Sequence, residues 1–210
     1  MTRRRRPAEL RRAVSVSRDG GRTADDAAED AALVASAQSG DSQAFDELVR
    51  RHSPRLRRVL VRITHDPEAA NDALQDALLR AWKNIGRFEG RSSFFTWLTR
   101  IGINEAYRTV NRSQTAATLP LDDALGERIP GWSNRPDQVF ESREFLAAVE
   151  AALARLPIDY REAVVLRDVE ALSTLEAAEV LGIEEGALKS RLHRGRMALR
   201  RDLDAFFVKD

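Results

Sequence analysis

Apolar residues recur at three- and four-residue spacing along most of this chain, and the pattern fails over one long internal interval, residues 113–140. That interval has no apolar period and carries Pro120, Pro130, Gly131 and Pro136, the composition of a linker. A period near 3.6 on both sides calls for helices that each bury one stripe, and the break divides them between two bodies. Nothing in the chain alternates with period two as a strand does, and no internal repeat is found. The expected fold is all-α, with two small helical domains joined by a flexible linker. Its parts are a disordered tail over 1–28, a first domain over 29–112, the linker over 113–140 and a second domain over 141–210 that contains a helix-turn-helix.

Composition narrows the function classes. Hydrophobic residues make up 43% of the 210, enough to give each domain a core. There is no cysteine, which rules out disulfides and thiolate-bound zinc. His52, His65 and His193 form no ligand cluster, so neither a metal nor a cofactor is expected. No run approaches the ~18 apolar residues of a membrane span. The arginines at 3–6 are not followed by the apolar stretch of a secretion signal. A cytoplasmic protein without membrane insertion is expected. No Gly-rich phosphate loop, metal triad or paired-carboxylate cleft marks an enzyme.

The net charge of +1 hides an uneven distribution. Residues 50–112 hold 13 basic and 6 acidic groups, a net of +7, whereas residues 141–210 hold 11 and 14. Within that acidic second half, Lys189 to Arg201 carries six basic residues and no acidic one. A basic first domain and one basic stripe on a neutral body suit nucleic acid met at defined faces.

The first long helix is expected to start at Asp41 as N-cap and to bury Phe45, Leu48, His52, Leu56, Val59 and Ile63, with a possible kink at Pro54. His52 is thus a core or boundary histidine and not a ligand. A second helix opens at Asp66-Pro67 and runs to about Ile85; a third runs from Ser92 or Ser93 to about Arg112. In the second half one helix ends at Pro157, and another is expected to open with Asp159 and Glu162 as a capping box.

Residues 173–200 give the sharpest local signal. Ser173 and Glu176 form a capping box, Leu175, Ala178 and Leu181 give a short helix, and Gly182 is the turn. A second helix from about Glu185 repeats its apolar face at Leu188, Leu192, Gly195 and Leu199, which makes a helix-turn-helix. The wheel leaves Lys189, Ser190, His193, Arg194 and Met197 outward, a face suited to base edges in the major groove. Arg191 and Arg196 flank it, as phosphate contacts would.

Two further faces stand out in the first domain. Asp72, Gln75, Asp76, Leu79 and Lys83 form one outward stripe, separate from the apolar one, that suits protein docking. The next segment interleaves Phe88, Phe94, Phe95 and Trp97 with Arg87, Arg91, Arg100, Arg108 and Arg112. Aromatics stack unpaired bases while arginines follow the backbone, the mode of single-strand binders. Phe94, Leu98 and Ile101 are assigned inward, leaving Phe88, Phe95, Trp97 and Arg100 for bases.

Both halves resemble the conserved domains of extracytoplasmic-function sigma factors. The resemblance rests on GDSQAFDELVRRHSPRL, DALQDALLRAWKNI and FEGRSSFFTWLTRIGIN in order, then on LARLPIDYREAVVLRDVEALSTLEAAEVLGIEEGALKSRLHRGRMALRR. It departs from the family pattern at Leu78 and Arg108. The resemblance implies a non-enzymatic subunit that binds core RNA polymerase through Asp72, Gln75, Asp76 and Leu79. It implies that Phe88, Arg91, Ser93, Phe95, Trp97, Arg100 and Asn104 hold melted promoter DNA. Lys189, Ser190, Arg191, His193, Arg194 and Arg196 would then read the upstream promoter element, and the acidic linker would thread toward the polymerase active-site channel. An anti-sigma factor is an implied partner. The alternative is a stand-alone helix-turn-helix regulator, which would bind duplex DNA tightly without polymerase.

Overall fold

The computed structural model describes residues 24–113 and 143–204; most of the expected tail and all but the first residue of the expected linker lie outside them. Helices account for the regular structure, with no strand among the described residues. In the first domain they are α1 (Ala24–Gln38), α2 (Ser42–Thr64), α3 (Pro67–Asn84), a short 3-10 turn (Ile85–Arg87) and α4 (Phe94–Ser113). The second has α5 (Arg143–Arg155), α6 (Ile158–Val164), a wide turn (Val165–Val169), α7 (Thr174–Leu181) and α8 (Glu185–Leu203).

Local chemistry sets most of these boundaries. Asp41 caps α2 by accepting from the Gln43 and Ala44 amides at 2.9 and 3.2 Å, and Asp66 caps α3 in the same way through Glu68 and Ala69. Each cap satisfies donors that a helix start leaves open. α2 runs unbroken through Pro54. Ser173 and Glu176 form the reciprocal capping box of α7, and Gly182 ends that helix at φ +65, a left-handed conformation that only glycine adopts freely.

Three boundaries or faces differ from the sequence reading. α1 starts at Ala24, inside the span expected as tail, because Val34 and Ala37 bury against the first domain and Gln38 Nε2 donates to the carbonyls of Ile85 and Phe88. α6 opens on Pro157 without a side-chain cap; Asp159 faces Arg191 at 3.2 Å and Glu162 is buried, so the two form no capping box. In α7 the inward residues are Ala177, Ala178 and Val180, while Leu175 is 58% exposed.

The first core packs α3 on α4 through a row of alanines, Ala70, Ala73, Ala77 and Ala81, against the large side chains Leu48, Leu56, Leu60, Phe94 and Leu98. Small side chains let the helix axes approach, and burying the large ones supplies the driving force. His52 is buried as expected, with Nε2 2.8 Å from an Asp30 oxygen on α1. In the second core α8 lies against α5, α6 and α7. Gly195 makes the crossing with α6 possible, since a Cβ there would stand 2.8 Å from Val164 Cγ2 and 3.0 Å from the Tyr160 carbonyl.

The two domains also pack on each other. α7 lies along α4, and the wide turn, α5 and α6 touch α2. Arg161 fastens this seam by donating to Ile63 O of α2 at 2.6 Å and to the carbonyls of Leu153, Ala154 and Leu156. It thereby satisfies carbonyls that helix ends leave open in both domains.

Candidate nucleic-acid interface and docking face

The wheel of α4 explains the first candidate surface. Phe94 and Leu98 face the first core and are buried, as the sequence reading has them, with Ile101 half-buried beside them. On the far side Arg100, Asn104 and Arg108 are exposed in one stripe, with Trp97 half-buried at its head. Phe88 joins that head: its ring lies 5.0 Å from Trp97 and edge-on to Phe94 at 6.1 Å. The cluster fixes the rings without burying them wholly, which leaves apolar faces beside arginines, the pairing a stacked base needs.

The other candidates in this segment have different surroundings. Ser93 is the cap of α4, with Oγ accepting from the Thr96 amide at 3.0 Å. Arg91 is exposed and pairs with Glu89. Phe95 is 1% exposed. Its ring is covered by the Arg55 guanidinium at 3.9 Å, and Arg55 is held by Glu170 of the second domain at 2.7 Å. In this conformation Phe95 meets no solvent and no base. The wheel centred on Phe94 and Leu98 missed it, because the buried arc of α4 is widened by a second domain that no local period announces.

The helix α8 keeps Lys189, Ser190, His193 and Arg194 exposed on one face, as its apolar wheel predicts, while Met197, expected outward with them, is half-buried. Ser190 Oγ bonds its own helix at Gly186 O, and Lys189 pairs with Glu185 at 3.3 Å, contacts that an incoming base or phosphate can replace. Arg194 reaches the Tyr160 hydroxyl at 3.3 Å. The flanking arginines are more firmly committed. Arg191 pairs with Asp159, and Arg196 makes a two-pronged bond to Asp168 at 2.6 and 2.8 Å. The Asp168 side chain has no solvent exposure. A fork closed on a buried carboxylate fixes orientation strongly, so Arg196 sets the roll of α8 on its domain. Sequence reading had no signal for this pairing, whose partners lie 28 residues apart.

On α3, Asp72, Gln75, Asp76 and Leu79 are all exposed, Leu79 at 60%. Beside Leu79 an apolar groove runs between α2 and α3, lined by Phe45, Val49, Leu78, Leu79 and Trp82 with Asp46 at its rim. A carboxylate-edged apolar groove suits a protein partner with an apolar and basic face. Among the described residues no cluster of side chains could hold a metal ion, and no helix is long and apolar enough to cross a membrane.

Known proteins are similar to this chain in sequence and in fold. Residues 48–115 match the family model of sigma-70 region 2, and residues 146–199 match that of sigma-70 region 4. Over 172 residues the chain is 38% identical to the ECF RNA polymerase sigma factor SigM of Mycobacterium tuberculosis, covering 82% of this chain and 83% of that one. It is 33% identical over 181 residues to the RNA polymerase sigma-H factor of Pseudomonas aeruginosa, covering 83% and 94%. The solved structure of CnrH in complex with the cytosolic domain of CnrY superposes with a TM-score of 0.62 at 31% identity, over 84% of this chain and 98% of CnrH. The sigma factor RpoE of Bartonella quintana, bound to the anti-sigma factor NepR, superposes with a TM-score of 0.58 at 29% identity, over 76% and 96%.

Proposed function

This chain belongs to the extracytoplasmic-function sigma factors of RNA polymerase, and we propose that its first domain docks on core polymerase and holds melted promoter DNA while its second reads the upstream element as duplex. The observation that carries this division of labour is the chemical contrast between two exposed faces. Phe88, Trp97, Arg100, Asn104 and Arg108 offer rings beside cations, which suit unpaired bases. Lys189, Ser190, His193 and Arg194 offer short polar and cationic donors on a convex helix, which suit a major groove. Asp72, Gln75, Asp76 and Leu79 form the polymerase-binding face.

The sigma factor performs no covalent step: bond making belongs to the polymerase. Two weak readers on one polymerase give promoter affinity through effective concentration, and melting follows from preferential capture of the unpaired state. The work is cytoplasmic. The complexes of CnrH with the cytosolic domain of CnrY and of RpoE with the anti-sigma factor NepR support control by an anti-sigma factor. The acidic linker, with Asp122, Asp123 and Glu127, expected to thread toward the active-site channel, lies outside the described residues.

Reconstituted transcription tests the proposal. Core polymerase with this chain should initiate from a cognate promoter and core alone should not. Specific initiation that survives omission of the chain refutes it, as does tight specific duplex binding by the chain with no effect on polymerase.

A further inference from the structure

The first turn of α6 holds two arginines of α8 through consecutive residues. Asp159 pairs with Arg191 at 3.2 Å, and the Tyr160 hydroxyl accepts from Arg194 Nη1 at 3.3 Å. Arg191 and Arg194 stand one turn apart on α8, so they are surface neighbours. Their partners differ in kind. A carboxylate offsets the charge it holds, whereas a phenol orients a guanidinium and offsets none of it.

The contact of Arg194 also differs from those of the other side chains on its face. Lys189 and Ser190 bond within α8, to Glu185 and to Gly186 O, and move with that helix. The bond of Arg194 crosses to a second helix, 34 residues away in the chain. Tyr160 is anchored there. Its amide and that of Arg161 bond Pro157 O at 3.0 Å each, closing the turn that starts α6. Its carbonyl lies 3.0 Å, and its Cβ 3.4 Å, from where a Cβ on Gly195 would stand, beside the residue next to Arg194 in sequence. The half-buried ring therefore leaves from a crossing of two backbones, and it has two side-chain torsions to fix.

A surface arginine gives up rotamer freedom when it reads a base. A hydroxyl that already holds one of its nitrogens removes part of that loss and selects the plane of the guanidinium. The group carries five N–H donors, and one bond from Nη1 is compatible with the paired bonds that guanine O6 and N7 accept.

We propose that Tyr160, which lies outside the helix-turn-helix, is a positioning residue for promoter reading: it sets the guanidinium plane of Arg194 and sharpens the choice of base at the one position Arg194 meets. The inference rests on the reading of α8 as the helix that meets the upstream element. Its role is distinct from that of Arg196, whose bond to Asp168 fixes the roll of the whole helix. Tyr160 acts on a single side chain, so its effect is confined to a single base pair.

The test uses the full chain with core polymerase on barcoded promoter templates randomised over the upstream element. Sequencing the transcript barcodes gives the base preference at every position. Preferences are ratios within one library, so a change in the amount of active protein cancels. Arg194→Ala should flatten the preference at one position. Tyr160→Phe keeps the ring in the crossing and removes the acceptor. It should lower the preference at that same position by about fivefold, the scale of one hydrogen bond, and leave the other positions unchanged. Adding Tyr160→Phe to Arg194→Ala should change nothing further. A purely structural tyrosine would instead lower the melting temperature and weaken every position alike. An unchanged or sharper preference in Tyr160→Phe, an equal loss at all positions, or a further loss in the double variant overturns the role of Tyr160 and leaves the reading of α8 standing. Absence of any flattened position in Arg194→Ala sinks that reading, and the positioning role with it.

Discussion

The helix that carries Trp97 and the helix that carries Arg194 have nearly equal lengths, 20 and 19 residues, and both present cations to solvent, yet they are held differently. α8 rests on α5, α6 and α7 of its own domain, with Gly195 letting α6 approach and Arg196 closed on Asp168. α4 exposes only Arg100, Asn104 and Arg108 among its described side chains, and part of its buried arc is covered by α7 of the other domain. A duplex reader needs one rigid convex face, and its own domain suffices to aim it. The face of α4 is bounded by both domains, because α7 covers part of the arc that its own domain leaves.

The sharpest way to break this comparison is Asp168→Ala. Removing one partner of a buried fork leaves the Arg196 cation beside an apolar interior, and about 3 kcal/mol of second-domain stability should be lost. Thermal melting should show it, with single-strand binding by α4 retained; equal loss at both helices would refute their independence. Gly195→Ala should follow at about 2 kcal/mol, because the new methyl group meets Val164 and a backbone oxygen that cannot yield easily. Chemical denaturation should place that loss in the second domain.

Two smaller substitutions sharpen the contrast in function. Trp97→Ala should weaken binding to unpaired DNA by about 2 kcal/mol, the scale of one stacked base, with duplex binding to the upstream element unchanged. Arg194→Ala should do the reverse, by about 1.5 kcal/mol and with relaxed base preference at one position. Fluorescence anisotropy with the two DNA forms separates them; crossed or identical effects would remove the division of labour.

What could be read from the sequence was whatever is decided within about one helical turn. The caps at Asp41, Asp66 and Ser173, the turn at Gly182 and the outward faces of α3 and α8 all follow from neighbours three or four residues apart. The pairings that aim and enclose the site span 22 residues for Asp30 and His52, 28 for Asp168 and Arg196, and 115 for Arg55 and Glu170. Each of these acidic residues looks solvated to a local rule. Glu162 was misjudged for the same reason: its spacing from Asp159 fits a capping box, but Pro157 occupies the cap and the carboxyl turns inward.

The wide turn at Val165–Val169 has a consequence for how such a chain can change over generations. The Glu170 amide bonds Val165 O, five residues back, at 2.9 Å, so this turn holds one residue more than an α-helical turn does. Deleting that residue would roll everything after it by about 100°. Glu170 would swing away from Arg55, and α8 would lose its seat on α5 and α6. The length of this turn therefore couples the domain seam to the seat of α8, and an insertion or deletion here would disturb both together.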